Sequence, residues 1–246
     1  MSTTENRTAI ITGSSRGIGA TIAEHLAAGG FNVVINYADN ENAGRQVVEK
    51  IKATGNNAIA VQADVSDAAA VKRMFEMAEK TFGGVDVLVN NAGIMKLATI
   101  AESDDALFDS QVAINFKGTF NPLRQAAKRL RNGGAIVNFS TSVVGLKLET
   151  YGVYAAIKAA VETMTAIMAK ELRGRSITVN AVAPGPTATQ LFLDGKPQEV
   201  INRMSQMTPL ERLGEPKDIA AVVAFLVCSD GAWINGQTVR ANGGLV

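Results

Sequence analysis

Short runs of β-branched and apolar residues alternate with amphipathic helical patterns from one end of the chain to the other, and this alternation leaves few folds open. TAIIT (8–12), FNVVINY (31–37), NAIAVQAD (57–64), VDVLVNNAG (85–93), GAIVNFSTS (134–142), SITVNAVAPG (176–185) and GQTVRAN (236–242) read as strands. Between them, Ile18, Ile22 and Leu26 recur one helical turn apart, and GG at 29–30 ends that helix. Residues 42–54 read as helix, and Val71, Phe75, Ala78 and Phe82 repeat the period over 67–82. Long helices precede the fifth and sixth strands, and 216–229 forms the last helix. Strands that are apolar on both faces belong to a parallel sheet covered by helices on either side. The expectation is one doubly wound α/β domain over residues 1–246, with no linker or repeat dividing it.

A chain of 246 residues with 47% apolar content can bury a core of that size. The charge balance, 24 basic against 23 acidic residues, argues against a nucleic-acid binder or an anionic-membrane partner. No apolar run reaches the roughly 18 residues of a spanning helix. Cys228 and His25 are the only cysteine and histidine, so no intrachain disulfide and no His/Cys zinc site can form. The start, MSTTENRTAIITG, has no basic-then-apolar signal segment. A soluble, cytoplasmic protein is expected. The irregular stretch 185–215 is long for a compact domain, and 186–212 reads as a lid over a binding site. Leu191, Phe192 and Leu193 are its apolar candidates.

TGSSRGIG (12–19) joins the first strand to the first helix. Glycines at 13, 17 and 19 let backbone approach a pyrophosphate, and the helix start supplies donors. A tight turn needing positive φ is the plainer reading. Gly13, Ser15 and Gly17 also spell a hydrolase nucleophile elbow, but His25 lies inside the same helix and cannot complete a triad. No G-K-[ST] follows, so this is not a P-loop. The second strand ends in Asn36 and Tyr37 rather than the acid that holds the ribose of NAD, and Arg16 can pair with a 2′-phosphate. Both favour NADPH over NADH. Asp39, if turned inward, would oppose that preference.

Tyr154 and Lys158 stand one helical turn apart in YGVYAAIK. In a pocket, the ammonium would stabilise a phenolate and lower the tyrosine from its usual value of about 10. On a surface, the pair would do nothing.

With these motifs in hand, the chain resembles the short-chain dehydrogenase/reductase family over essentially its whole length. The signatures occur in order: T-G-x-x-x-G-x-G at 12–19, N-N-A-G at 90–93, a serine-rich strand end at 140–142 and Y-x-x-x-K at 154–158. APGPTAT (183–189) and NGQTVRANGG (235–244) are similar to 3-oxoacyl-carrier-protein reductases and general ketone reductases within it. The resemblance implies a Rossmann-type sheet of about seven strands in the order 3-2-1-4-5-6-7, with the site at the switch between strands 1 and 4. It implies that Tyr154 donates a proton to a carbonyl oxygen, that Lys158 tunes it and bonds the nicotinamide ribose, and that Asn115 holds a relay water. Ser142 is implied as the hydroxyl that polarises the carbonyl, with Thr141, at the family's usual thirteen-residue spacing, as the alternative. The cofactor residues carried over are Gly13, Ser15, Arg16, Gly17, Ile18, Gly19, Asn36, Tyr37, Asp64, Val65, Asn91, Ala92, Gly93, Tyr154, Lys158, Pro184, Gly185, Thr187 and Thr189. The implied activity is NADPH-dependent reduction of a ketone or aldehyde in a homotetramer paired through helices near 105–130 and 152–172. An NAD-dependent alcohol or sugar dehydrogenase and a non-catalytic redox sensor are the alternatives.

Plainer roles stand beside several of these. Asn90 and Asn91 could hold positive φ in a turn, and Asn115 could fix a helix bend. Met164 and Met168 fit a core, Cys228 a small buried group, and Lys128, Arg129 and Arg131 a solvated helix end. That basic cluster is also a candidate dock for an acidic carrier protein.

Overall fold

The computed structural model describes residues 7–246. The residues whose polarity argued against a signal segment, 1–6, lie outside the described residues. Seven strands form one sheet: β1 (Thr8–Ile11), β2 (Asn32–Tyr37), β3 (Ala58–Gln62), β4 (Val85–Asn90), β5 (Leu130–Phe139), β6 (Thr178–Pro184) and β7 (Thr238–Ala241). Their order is β3-β2-β1-β4-β5-β6-β7, as expected. Every pairing is parallel. The expected limits of the strands hold to within a few residues, except that β5 begins at Leu130, where an irregularity in the β4–β5 register precedes the continuous ladder.

Among the described residues, ten α-helices connect and flank the strands. On one face, α1 (Gly17–Ala28), α2 (Glu41–Lys52) and α10 (Pro216–Val227) close a core that includes Ile11, Ile22, Val33 and Leu226. On the other, α3 (Ala68–Phe82), α5 (Gly118–Arg129) and α7 (Gly152–Glu171) close a second core around Ile10, Phe75, Leu88 and Ile136. Successive strand residues serve opposite cores, which is why the strands carry no polar face. Met168 belongs to the second core.

The helix read between β4 and β5 is not regular. It runs as α4 (Asp105–Gln111), a π-helical turn over Val112–Lys117, and α5. Pro122 lies inside α5 and cannot donate to the carbonyl four residues back. The stretch 185–215 also contains more order than expected: α8 (Gln190–Leu193) and α9 (Gln198–Gln206), with α9 starting directly after Pro197. The remaining helix, α6 (Val143–Leu146), follows β5. Among the described residues no helix is long and apolar enough to cross a membrane.

Two surface readings change. Cys228 is only partly buried, with its thiol on the Phe225 carbonyl. Arg129 pairs with Glu79 at 2.7 Å, and Arg131 with Asp86 at 3.2 Å. These two arginines are therefore committed to their own chain, which weakens the case for a carrier-protein dock.

Candidate active site

Neighbours at the centre of the sheet, β1 and β4 send the helices that follow them to opposite faces, and this opens the crevice beyond their carboxyl ends. The glycine turn closes tightly against the end of β4. A Cβ on Gly13 would stand 2.8 Å from Ala92 Cα, and one on Gly19 would stand 2.5 Å from Asn91 Nδ2 and 2.6 Å from the Gly13 carbonyl oxygen. Only glycine permits that approach. Asn91 Nδ2 donates to the Thr12 and Gly13 carbonyls at 2.9 and 3.0 Å. Thr12 Oγ1 accepts from the Asn91 and Ala92 N–H groups, both at 3.0 Å. Thr12 is thus a clamp between turn and strand to which no role was assigned from sequence. Neither Asn90 nor Asn91 has positive φ.

At the start of α1, Arg16 adopts extended backbone, no side chain caps the helix, and no acid occupies its first turn. The first backbone N–H groups are therefore left without a capping side chain at the positive end of the helix. The Arg16 side chain is exposed and forms no ion pair among the described residues, and the same is true of Asp39. Ser15 is partly exposed beside Arg16, and Gly17 has φ +57°.

Two cofactor candidates, Asn36 and Tyr37, have side chains engaged within the chain. Asn36 is buried, its Oδ1 accepts from the Gly13 N–H at 3.0 Å, and its Nδ2 donates to the Ala63 carbonyl at 2.9 Å. Its amide is spent on bracing the glycine turn. Tyr37 is also buried, with its ring on Gly44 of α2. At the end of β3, Asp64 is exposed and accepts from the Ser66 N–H at 2.8 Å, whereas Val65 packs into the space left by Gly118.

Beyond the turn, one cleft of about 150 Å³ brings together Ile18, Asn91, Gly93, Ser140, Thr141, Ser142, Tyr154, Lys158, Pro184, Gly185, Thr187 and Thr189. Leu191 and Phe192 of α8 line it as well, and Leu193 does not. Phe139, Val143 and Pro186 extend the segments already named, and Met95, Leu146, Tyr151, Met204 and Leu245 add walls that were not anticipated. The last five are apolar or aromatic residues on four separate segments, with no local pattern to mark them. Thr187 Oγ1 donates to the Gly185 carbonyl at 3.0 Å, and Thr189 caps α8 through the Phe192 N–H.

Lys158 is buried, and its ammonium donates to the Phe139 carbonyl at 2.8 Å. Its Nζ lies 5.8 Å from the centroid of the Tyr154 ring. Tyr151 stacks edge-on against that ring at 6.5 Å. Burial pushes the Tyr154 phenol up to about 12, with Tyr151 adding to the effect. Burial also pulls the Lys158 ammonium down to about 8. Within the chain itself the shift runs opposite to the expectation that the lysine lowers the tyrosine, because desolvation by burial governs both groups. The consequence is a phenol that stays protonated at neutral pH beside an amine that is still mostly charged.

Ser142 Oγ accepts from Asn242 Nδ2 at 3.0 Å and donates to the Ala183 carbonyl at 3.3 Å. Thr141 Oγ1 accepts from the Val143 N–H at 3.3 Å. Ser140, read as a simple strand-end hydroxyl, donates to Glu162 at 2.5 Å. Asn115 sits in the π-helical turn, fully buried, with Oδ1 accepting from the Ile94 N–H at 2.8 Å and Nδ2 donating to the Ile94 carbonyl at 2.9 Å. It does not line the cleft, and its amide pins the strand-end loop from behind. Beneath the site, Asn90 Nδ2 donates to Asn138 Oδ1, and Asn138 Nδ2 donates to Thr165 Oγ1, each at 2.9 Å in the core. No cluster of metal-binding side chains occurs among the described residues.

A family profile described as enoyl-(acyl carrier protein) reductase matches residues 13–246. An NADPH-dependent aldehyde reductase-like protein of Arabidopsis thaliana is 46% identical over 254 residues, covering 98% of this chain and 94% of that one. A 3-oxoacyl-acyl-carrier-protein reductase of Staphylococcus aureus is 41% identical over 241 residues, covering 97% and 98%. A short-chain dehydrogenase of Burkholderia cenocepacia, solved in complex with NADP, superposes with a TM-score of 0.93 at 36% identity over 99% of both chains. The chain belongs to the short-chain dehydrogenase/reductase family and is an NAD(P)-dependent oxidoreductase.

Proposed function

We propose that the protein is an NADPH-dependent carbonyl reductase that converts a ketone or aldehyde, 3-oxoacyl compounds included, to the alcohol. The observation that carries this reading is that Tyr154, Lys158 and Ser142 line one cleft, where burial favours the neutral phenol. A bound nicotinamide supplies the hydride. The chain's own groups handle the oxygen. The Ser142 hydroxyl donates to the carbonyl as negative charge builds on it, and Tyr154 delivers the proton. The Lys158 ammonium, anchored on Phe139, offsets the phenolate left behind. Leu191 and Phe192 shield the cleft from water. Asn115 supports the loop carrying Gly93, rather than taking part directly.

Preference for NADPH is supported by the unpaired Arg16 beside the glycine turn, by the absence of an acid at the end of β2, and by relatives whose names specify NADPH or NADP. A homotetramer is supported by Phe108, Phe120 and Ile167, which are exposed on α4, α5 and α7. The lone cysteine suits a reducing compartment such as the cytoplasm.

The test is a panel of aldehydes, ketones and a conjugated enoyl thioester, run with NADPH and NADH and followed at the nicotinamide absorbance. NADPH-driven carbonyl reduction is expected, and Tyr154→Phe should lower kcat by about 10² or more while NADPH binding persists. Full turnover without the phenol, or reduction of the enoyl double bond alone, would overturn the reading. A preference for NADH with an alcohol or sugar would favour the dehydrogenase alternative.

A further inference from the structure

We infer that Asn242 is a positioning residue that aims the Ser142 hydroxyl at the substrate oxygen, an inference that rests on Ser142 being the group that orients the carbonyl. Asn242 follows β7 and is largely buried. Its Nδ2 donates to Ser142 Oγ at 3.0 Å and to the Val246 carbonyl at 3.2 Å. Its Oδ1 accepts from the Gly244 N–H at 3.0 Å. A backbone N–H can only donate, so the amide atom facing Gly244 must be oxygen, and the atom facing Ser142 must be nitrogen.

A serine hydroxyl has one proton and two lone pairs. The Asn242 nitrogen cannot accept, so the hydroxyl turns a lone pair toward it and points its proton elsewhere. Inside the protein that proton finds only the Ala183 carbonyl, at 3.3 Å. That is long for an O–H···O bond, whose usual length is about 2.7–2.8 Å. The proton is therefore held loosely and can pass to a better acceptor, such as a carbonyl oxygen gaining charge. The N–H that enters Oγ also polarises the hydroxyl and makes it a stronger donor.

The fold holds Asn242 at this spot. The Gly185 N–H donates to the Ala241 carbonyl at 3.0 Å, and a Cβ on Gly185 would stand 2.8 Å from Asn242 Cα. Gly243 and Gly244, at φ +67° and +87°, then turn the chain back toward the cleft. Leu245 reaches its wall, and Val246 covers Gly145 of α6, the helix that Ser142 opens. The end of β7 thus touches the serine segment through both Asn242 and Val246.

A double-mutant cycle tests this, with NADPH and 4-nitrobenzaldehyde as the probe substrate. Asn242→Ala is expected to lower kcat by about 10-fold while KM for NADPH stays within about twofold. In the Ser142→Ala background, the same substitution is expected to change kcat by less than about twofold, because the group it acts through is gone. Equal losses in both backgrounds would mean that Asn242 serves only the fold, and no loss in the Ser142 background would mean that it does nothing for the hydroxyl; either overturns the inference. Ser142→Ala at full activity would overturn the serine reading itself, and it is seen without touching residue 242. Should Asn242→Ala fail to bind NADPH, Asn242→Asp replaces it in the cycle: it keeps the Gly244 contact and its second oxygen captures the Ser142 proton, so a loss of about 10-fold or more is expected with Ser142 present and less than about twofold with Ser142→Ala.

Discussion

Replacing Lys158 with methionine should stabilise the protein while disabling it. The side chain is buried, and among the described residues its one hydrogen bond goes to the Phe139 carbonyl and no carboxylate lies within ion-pair distance. Folding lowers its pKa from 10.5 to about 8. At ~1.4 kcal/mol per pKa unit, keeping the charged form buried costs the native state about 3 kcal/mol at pH 7. The unfolded chain holds its proton up to about 10.5 and the folded chain only to about 8, so native stability rises with pH across that window. By pH 10 the cost falls to about 1 kcal/mol. Methionine fills a similar volume without charge, but it forfeits the bond to Phe139, worth about 1 kcal/mol. Urea unfolding with no cofactor added should therefore show Lys158→Met about 2 kcal/mol more stable than the parent at pH 7, with the difference vanishing near pH 10. A variant that is less stable at pH 7, or a difference that ignores pH, would show that the ammonium is compensated after all and would refute the reasoning.

Other outcomes follow from the same site. The rate of carbonyl reduction should fall as pH rises through about 8, where Lys158 loses its charge while Tyr154 keeps its proton; a profile flat to pH 10 would contradict this. Gly19→Ala should weaken NADPH binding by about 10-fold or more in calorimetric titration, because its Cβ would meet the Gly13 carbonyl at 2.6 Å. Arg16→Ala should weaken NADPH about 10- to 100-fold and leave NADH unchanged, as read from nicotinamide fluorescence rather than from Trp233, which is fully exposed and outside the cleft. Ile167→Asp combined with Phe120→Asp should lower the mass seen by light scattering, and an unaltered mass would remove these two faces from the proposed interface.

The parallel sheet was legible because strands such as VVIN and VLVN are buried throughout, while its order came from the family resemblance. The motifs on single turns, Gly13 to Gly19 and Tyr154 with Lys158, were legible because their spacing is itself the geometry. What failed was anything decided by a partner distant in sequence. An asparagine at a strand end looks free to meet a ligand, and only the approach of Gly13 and Ala63 shows that Asn36 is occupied. The tyrosine's acidity was misjudged because a helical spacing reveals a neighbouring cation and says nothing of the low-dielectric wall around both. Asn242 lies one hundred residues from Ser142 and gave no local signal. The helices of 185–215 did leave traces, Pro197 before α9 and Thr189 before α8, which the prolines nearby obscured.

The polar rung under the site has a consequence for assembly. A central sheet built almost wholly of aliphatic residues has little to tell one alignment of neighbouring strands from the next. Asn90 and Asn138 are direct cross-strand partners, and Thr165 receives the second of their bonds. Sliding β4 past β5 by one residue would strand two amides in oil, at a cost of about 1–3 kcal/mol each. The rung acts as a vernier mark: it lets the chain find one alignment out of several that are equally greasy, and so sets the height at which the two strand ends present their loops.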